Sequence, residues 1–276
     1  MIVPAVISIG IDPYLHLGPL TVTWHGLTIA IGVLIGAWVA ARVAEQRGMP
    51  AQPMTTIAML AGGAGLIGGR LLYLAEHDQL QRPGEWLGTN GFSFNGGLVL
   101  AAVAVAAYVR RTGLPLRYLD AIAVGLPLGI AIGRIGDVIN GEHYGPPTDS
   151  FLGVRNTHPD ASVPSPDVAY HSGGLYDLLI GAVIFAIVWP LRHRSRRPTE
   201  IMWLVIALLG AGRFAEFFAR SDSDTIALGL SSAQWTSLAI LAIGVTGMLV
   251  LRRVPRAALP EHHRNTRSPR PAGGQA

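Results

Sequence analysis

Gly133-Arg134-Ile135-Gly136-Asp137-Val138-Ile139-Asn140-Gly141-Glu142 follows an uncharged apolar run from Ala121 to Ile132. An arginine placed at the end of such a run keeps its charge in any environment. It therefore needs a carboxylate, backbone carbonyls or an anionic ligand around it. The same arrangement recurs at Arg70, after Leu60 to Gly69, and at Arg213, after Ile201 to Gly212. Three arginines so placed point to a site for something anionic, and in a bilayer the commonest anion is a lipid phosphate.

The composition around this stretch is that of a polytopic membrane protein. Half of the 276 residues are hydrophobic, only 14% are charged, and the mean hydropathy is +0.40. Seven apolar segments can be marked at roughly 21–41, 55–75, 93–109, 118–138, 174–191, 201–219 and 234–251, each near the ~20 residues of a spanning helix. The expected fold is all-α, with about seven transmembrane helices forming one unit over 1–254. Glycines such as Gly62-Gly63-Ala64-Gly65 and Gly68-Gly69 read first as close-packing positions between helices. No basic region precedes the first apolar run, so no cleavable signal peptide is expected. With no cysteine, the chain has neither disulfide nor thiolate nucleophile. Any thiol chemistry must take its sulfur from a substrate.

Arginine placement predicts the topology, since all 21 basic residues are arginine. Arg42 and Arg47, Arg110, Arg111 and Arg117, Arg192, Arg194, Arg196 and Arg197, and the tail from Arg252 onward all fall on one side. The opposite side has Arg82, Arg155 and Arg220. The positive-inside rule then places the N-terminus outside and the C-terminus in the cytoplasm. Segments two, four and six run outward, which puts Arg70, Arg134 and Arg213 roughly 6–9 Å below the outer boundary. Segments one, three and five run inward, and their first turns carry His25, Asn95-Gly96-Gly97 and Tyr176-Asp177. Polar groups from six helices are thus expected at one level of the outer leaflet.

Other readings of the arginines stay open. Arg134 can pair with Asp137 and Arg213 with Glu216, three residues along the same helix face, and Arg70 can reach the interface along its own stem. The longest connection, 139–173, reads as an outer loop or small cap. Residues 255–276 are rich in Arg, Pro and Gly and read as a disordered cytoplasmic tail. His143, His158 and His171 share the long connection, but their spacing matches no metal-ligand pattern, and neither a metal, a cofactor nor a nucleic-acid partner is expected.

At Gly133 to Gly145 the sequence becomes specific. Gly-Arg-Ile-Gly-Asp-Val-Ile-Asn-Gly-Glu-His-Tyr-Gly resembles the signature of the prolipoprotein diacylglyceryl transferases, Gly-Arg-x-Gly-Asn-x-x-Asn-x-Glu-x-x-Gly. Further similarities follow in order: Gly18-Pro19-Leu20 with Trp24 and Gly26, Gly68-Gly69-Arg70, Ser93-Phe94 before Gly96-Gly97-Leu98, His171 with Leu175-Tyr176, and Arg213 followed by Glu216-Phe217-Phe218 and Arg220. The resemblance implies transfer of the diacylglyceryl group of phosphatidylglycerol to the lipobox cysteine of a prolipoprotein, in a multi-pass protein of the bacterial cell (inner) membrane. It implies that Arg134 and Arg213 hold the phosphate, and that Asn140 and Glu142 orient the headgroup or Arg134. Arg70, Asp137, Gly96, Gly97, Tyr176, Glu216 and Arg220 complete the implied binding surface.

Four departures bear on the chemistry. The family's third-segment motif is His-Gly-Gly, where this chain has Asn95-Gly96-Gly97, and an amide is no general base. His25 stands where the family has a tyrosine, and Asp137 replaces the first asparagine of the signature. Glu216 follows Arg213 by three residues instead of four. Either His25 or Asp137 then takes over as proton acceptor. A paralogue with another lipid donor or acceptor, and a non-catalytic phospholipid-binding protein, are the alternatives.

Overall fold

The computed structural model describes residues 6–18, 20–86, 91–195, 197–221 and 225–253. The stretch from Pro255 onward lies outside them. Among the described residues seven α-helices run α1 Trp24–Gln46, α2 Gln52–Glu76, α3 Phe94–Thr112, α4 Arg117–Asn140, α5 Gly173–Leu191, α6 Glu200–Glu216 and α7 Ser232–Leu251. Six of these, all but α3, are long and apolar enough to cross a membrane. Their outward faces expose large apolar side chains such as Leu34, Met59, Leu66 and Val183, which suits a hydrocarbon surround better than water.

Local chemistry sets the helix ends. Thr23 caps α1 by accepting from the Gly26 N–H, Ser172 caps α5 by accepting from Leu175, and Ser231 and Gln234 form a reciprocal capping box on α7. At the other end of α4, Gly141 takes φ +75°, a left-handed conformation that terminates the helix and turns the chain toward the site.

Glycine decides which helices meet. Gly32 and Gly36 of α1 lie against the main chain of Gly129 and Gly125 of α4, with the Gly36 Cβ position 3.1 Å from the Gly125 oxygen. A side chain at any of these would push the helices apart, so α1 packs along α4 although two helices intervene in sequence. Gly68 and Gly65 of α2 meet Gly96 and Gly97 of α3 in the same way, and Gly210 of α6 and Gly244 of α7 each receive the partner helix. Gly62 and Gly63, expected as packing positions, have open space around their Cβ positions. α4 also contacts α5 and α6 and is the hub of the bundle.

The buried apolar core lies at one end. It is built from Val43 and Ala44 near the end of α1, Met54 and Ile57 of α2, Tyr118 and Val124 of α4, Val188 of α5, and Ile201 and Val205 of α6. The opposite end is filled by charged and polar groups and covered by short strands that the helical reading did not include. β1 (Ile7–Ile9) pairs in parallel with β5 (Val154–Asn156). β6 (Tyr170–Ser172) then joins β5 and β4 (Tyr144–Pro147), giving the order β1-β5-β6-β4. The hairpin β2 (Tyr14–Leu17) and β3 (Leu20–Thr23) leads into α1, and β7 (Thr225–Ala227) with β8 (Leu230–Ser231) leads into α7. Within the long connection, Asn156 Nδ2 donates 2.9 Å bonds to the Val138 and Ile139 carbonyls, satisfying acceptors that the end of α4 would leave unpaired.

Candidate active site

The site is built on the last turns of α4 and α6 and the first turns of α1 and α5, four helix ends that alternate in direction. Gly136 permits a close approach of α1. A Cβ there would meet the His25 main chain and the Thr28 hydroxyl. Thr28 Oγ1 donates to the Gly133 carbonyl at 2.8 Å and accepts from the Gly136 N–H at 3.1 Å, so a side chain of α1 stitches directly into the backbone of α4.

A chain of charges follows. Arg134 Nη1 bonds Asp137 Oδ2, and Nη2 reaches Asp177 Oδ2 at 3.1 Å. Arg213 Nη1 bonds the same Asp177 oxygen at 2.5 Å and lies 3.8 Å from Glu216. Arg220 Nη1 binds Glu216 Oε1 at 2.9 Å, and Nη2 lies 3.0 Å from His143 Nδ1. On the α1 side, His25 Nδ1 contacts Asp137 Oδ1, and Glu142 Oε2 lies 3.1 Å away. The carboxylates lie beneath, with Asp137 and Asp177 side chains 1% and 4% exposed. The guanidiniums of Arg134 and Arg213 are 12% and 21% open and His25 35%. A dense set of buried charges is thus presented to an approaching ligand through its cationic members.

Beyond the end of α4, burial pushes the Glu142 carboxyl up, but the His25 hydrogen bond and charge more than offset this and hold it below the ordinary carboxylate range. Asn140 Nδ2 donates to Glu142 Oε1 at 3.0 Å, while Asn140 Oδ1 is buried with no donor among the described residues.

The candidate residues from the sequence divide into groups. Arg134, Arg213, Arg220, Asp137, Glu216, Glu142, Asn140 and His25 converge. The i,i+3 pairs Arg134–Asp137 and Arg213–Glu216 both form, and both arginines also share Asp177. Arg70 has different partners: it donates to the main-chain oxygens of Glu85 and Gly91 and faces the Tyr73 and Phe92 rings. The physical reason is helix pairing, since α2 packs on α3 rather than on α4 or α6. Gly96 and Gly97 make the close α2–α3 crossing. Tyr176 bonds His171 Nδ1 at 2.5 Å. Asn95 falls in the first turn of α3, and its side chain lies outside the described residues.

Two participants escape a reading by motif. Asp177 bridges both arginines, and its signal was its position, a lone acid in the first turn of an otherwise uncharged apolar segment. His143 has φ +59°, a left-handed conformation unusual for histidine, and its Nε2 comes within 4.0 Å of Asp137. Among the described residues two groups could in geometry hold a cation. Ligand-type atoms of His25, Asp137 and Glu142 lie within 4.8 Å of one another, as do those of Asp12, His158 and Asp160. In the first group a metal would compete with the Arg134 guanidinium for Asp137.

The fold and site define a polytopic helical membrane protein with a buried arginine–carboxylate centre at one end of its bundle. The sequence profile of the family described as prolipoprotein diacylglyceryl transferase matches residues 13–250. A phosphatidylglycerol–prolipoprotein diacylglyceryl transferase of Nitrosomonas europaea is 34% identical over 254 residues, covering 85% of this chain and 87% of its own. Proteins of the same name from Geobacillus kaustophilus and Methylobacillus flagellatus are 32% and 33% identical, covering 87% and 88% of this chain and 92% and 97% of theirs. The chain belongs to the prolipoprotein diacylglyceryl transferase family.

Proposed function

We propose that this protein transfers the diacylglyceryl group of phosphatidylglycerol to the lipobox cysteine thiol of prolipoproteins, the first step of lipoprotein maturation, in the bacterial cell membrane. The observation that carries this reading is the convergence of Arg134 and Arg213 on one oxygen of Asp177. One carboxylate holds two guanidiniums side by side, and both remain partly open to solvent. Such a pair matches a phosphodiester whose negative charge grows as the carbon–oxygen bond breaks. The unmatched Asn140 Oδ1 calls for a donor, and a hydroxyl of the glycerol headgroup supplies one. The absence of cysteine from the chain is consistent with a thiol that arrives with the acceptor.

The reading is tested by Arg134→Ala and Arg134→Lys in purified protein, assayed with labelled phosphatidylglycerol and a lipobox peptide. Transfer should fall about 10²–10³-fold in both, since an ammonium cannot reproduce a forked guanidinium contact. Near-normal rates in either variant would remove the phosphate role. The proposed orientation puts 139–173 outside and the tail after Arg256 in the cytoplasm. An impermeant maleimide should label Ser165→Cys in intact cells, and labelling only after lysis would reverse the topology.

A further inference from the structure

We propose that Tyr176 and His171 together accept the proton of the incoming thiol, the Tyr176 oxygen receiving it as the phenol proton passes to His171 Nδ1. This rests on the transfer reading above and names the base that reading requires. His25 and Asp137, the acceptors expected from the sequence, are both committed elsewhere. His25 Nδ1 lies between Asp137 Oδ1 and Glu142 Oε2, which hold the ring as an imidazolium with no lone pair to offer. Asp137 is buried, with one oxygen on His25 and the other on Arg134. Asp177 and Glu216 are buried against arginines. His143 Nδ1 lies 3.0 Å from the Arg220 guanidinium, which can only donate, so that lone pair is in use. Glu142 already accepts from Asn140 and His25.

His171 differs from all of these. Among the described residues no carboxylate pairs with it, and its side-chain hydrogen bond joins Nδ1 to the Tyr176 hydroxyl at 2.5 Å. An imidazole without an anion to hold a second proton keeps a lone pair, and a phenol O–H donates to it. That bond leaves the phenol oxygen able to accept from a further donor, and both side chains are half-buried. The chain path brings the pair to the edge of the charged site. A Cβ on Gly173 would lie 3.0 Å from Glu216 Oε1 and 3.1 Å from Arg220 Cδ, and one on Gly174 would lie 2.8 Å from Asp137 Cβ. The segment from His171 to Tyr176 therefore runs along the charges, and Tyr176 directly precedes Asp177, which joins Arg134 and Arg213. A base paired to a second group at the rim of an anion site is the arrangement that activates a nucleophile.

The step balances. The cysteine S–H gives its proton to the Tyr176 oxygen, the phenol proton moves to His171 Nδ1, and the sulfur attacks the glycerol carbon that bears the phosphate. The carbon–sulfur bond forms as the carbon–oxygen bond breaks, and the electron pair leaves on the phosphate oxygen. The imidazolium of His171 then returns its proton through the phenol to the departing glycerol phosphate or to water.

The test compares lipobox peptides carrying cysteine or selenocysteine, because a selenol ionises near neutral pH without a base. His171→Asn places an amide oxygen where Nδ1 stood, so it keeps an acceptor for the Tyr176 hydroxyl and loses the base. With the thiol peptide, His171→Asn and Tyr176→Phe should each lower kcat about 10²–10⁴-fold and leave KM for phosphatidylglycerol unchanged. With the selenol peptide, both deficits relative to the unmodified protein should shrink to less than about tenfold. Full thiol activity in either variant, or an equal deficit with both peptides, overturns the base assignment while transfer by the unmodified protein stands. Failure of the unmodified protein with both peptides overturns the transfer reading and this assignment together.

Discussion

Asp120 and Asp137 are fully buried at opposite ends of α4, and they keep different company. Asp120 accepts from three main-chain N–H groups, those of Thr199 at 2.9 Å, Ile201 at 2.8 Å and Met202 at 3.1 Å, and so caps the first turn of α6 from another helix. Beside it, Arg47 donates to the Arg192 carbonyl at 2.8 and 2.6 Å and comes within 3.8 Å of Asp120, tying the ends of α1 and α5 into the same knot. Asp137 has side chains for partners, an imidazole and a guanidinium that both reach toward the surface. Main-chain donors cannot leave without unwinding a helix, whereas a guanidinium can exchange one anion for another by a small rotation. The core end is therefore a structural clamp and the site end an exchangeable one, although both are made from arginine and aspartate.

Matched substitutions can break that comparison. At the site end, Asp177→Asn removes the charge that aligns Arg134 and Arg213, and transfer should fall about 100-fold while the melting temperature changes little. Turnover near normal, or a collapse in stability, would mean that the two ends are alike. At the core end, Asp120→Asn replaces an acceptor with an amide N–H facing a backbone N–H, which should cost about 1–3 kcal/mol. Thermal melting in detergent checks this, and turnover of the folded fraction should remain within about twofold, since the effect stays local. The smallest effect belongs to Glu142, whose carboxyl is held below its ordinary range by His25 once the opposing cost of burial is overcome. A depressed carboxylate contributes stability that is present above the unfolded value of about 4.3 and is lost as pH falls through the lower folded value. Melting curves of Glu142→Gln should therefore lie slightly below those of the unmodified protein at neutral pH, by less than about 1 kcal/mol, and converge with them at acid pH.

Much of the fold is legible in the chain because apolar length is a strong constraint. Each of the seven apolar segments corresponds to a helix, with α1 running on to Gln46 and α3 to Thr112, past the apolar stretches at 21–41 and 93–109. Those ends differ because helical hydrogen bonding continues into polar sequence, which hydropathy does not register. The eight short strands among the described residues are hard to read for the opposite reason. They are two to four residues long, and β1 is completed by a partner at 154–156, so no local alternation marks them.

Residue order and type alone determined the apolar segments, the three arginines placed against uncharged runs, the signature from Gly133 to Gly145 and the lack of any thiol in the chain. Tertiary structure decided which of those arginines meet. Contact between helices depends on small residues at matching heights, and Gly32, Gly36, Gly125 and Gly129 bring α1 to α4 while Gly68 and Gly96 pair α2 with α3. That choice gives Arg70 its own carbonyl partners, gathers Arg134 and Arg213 on Asp177, and sets His25 against Asp137 across 112 positions of sequence. The physical reason is that a charge buried at a helix end is satisfied by whatever the neighbouring helix presents at the same depth, and the neighbour is chosen by backbone approach, not by sequence proximity.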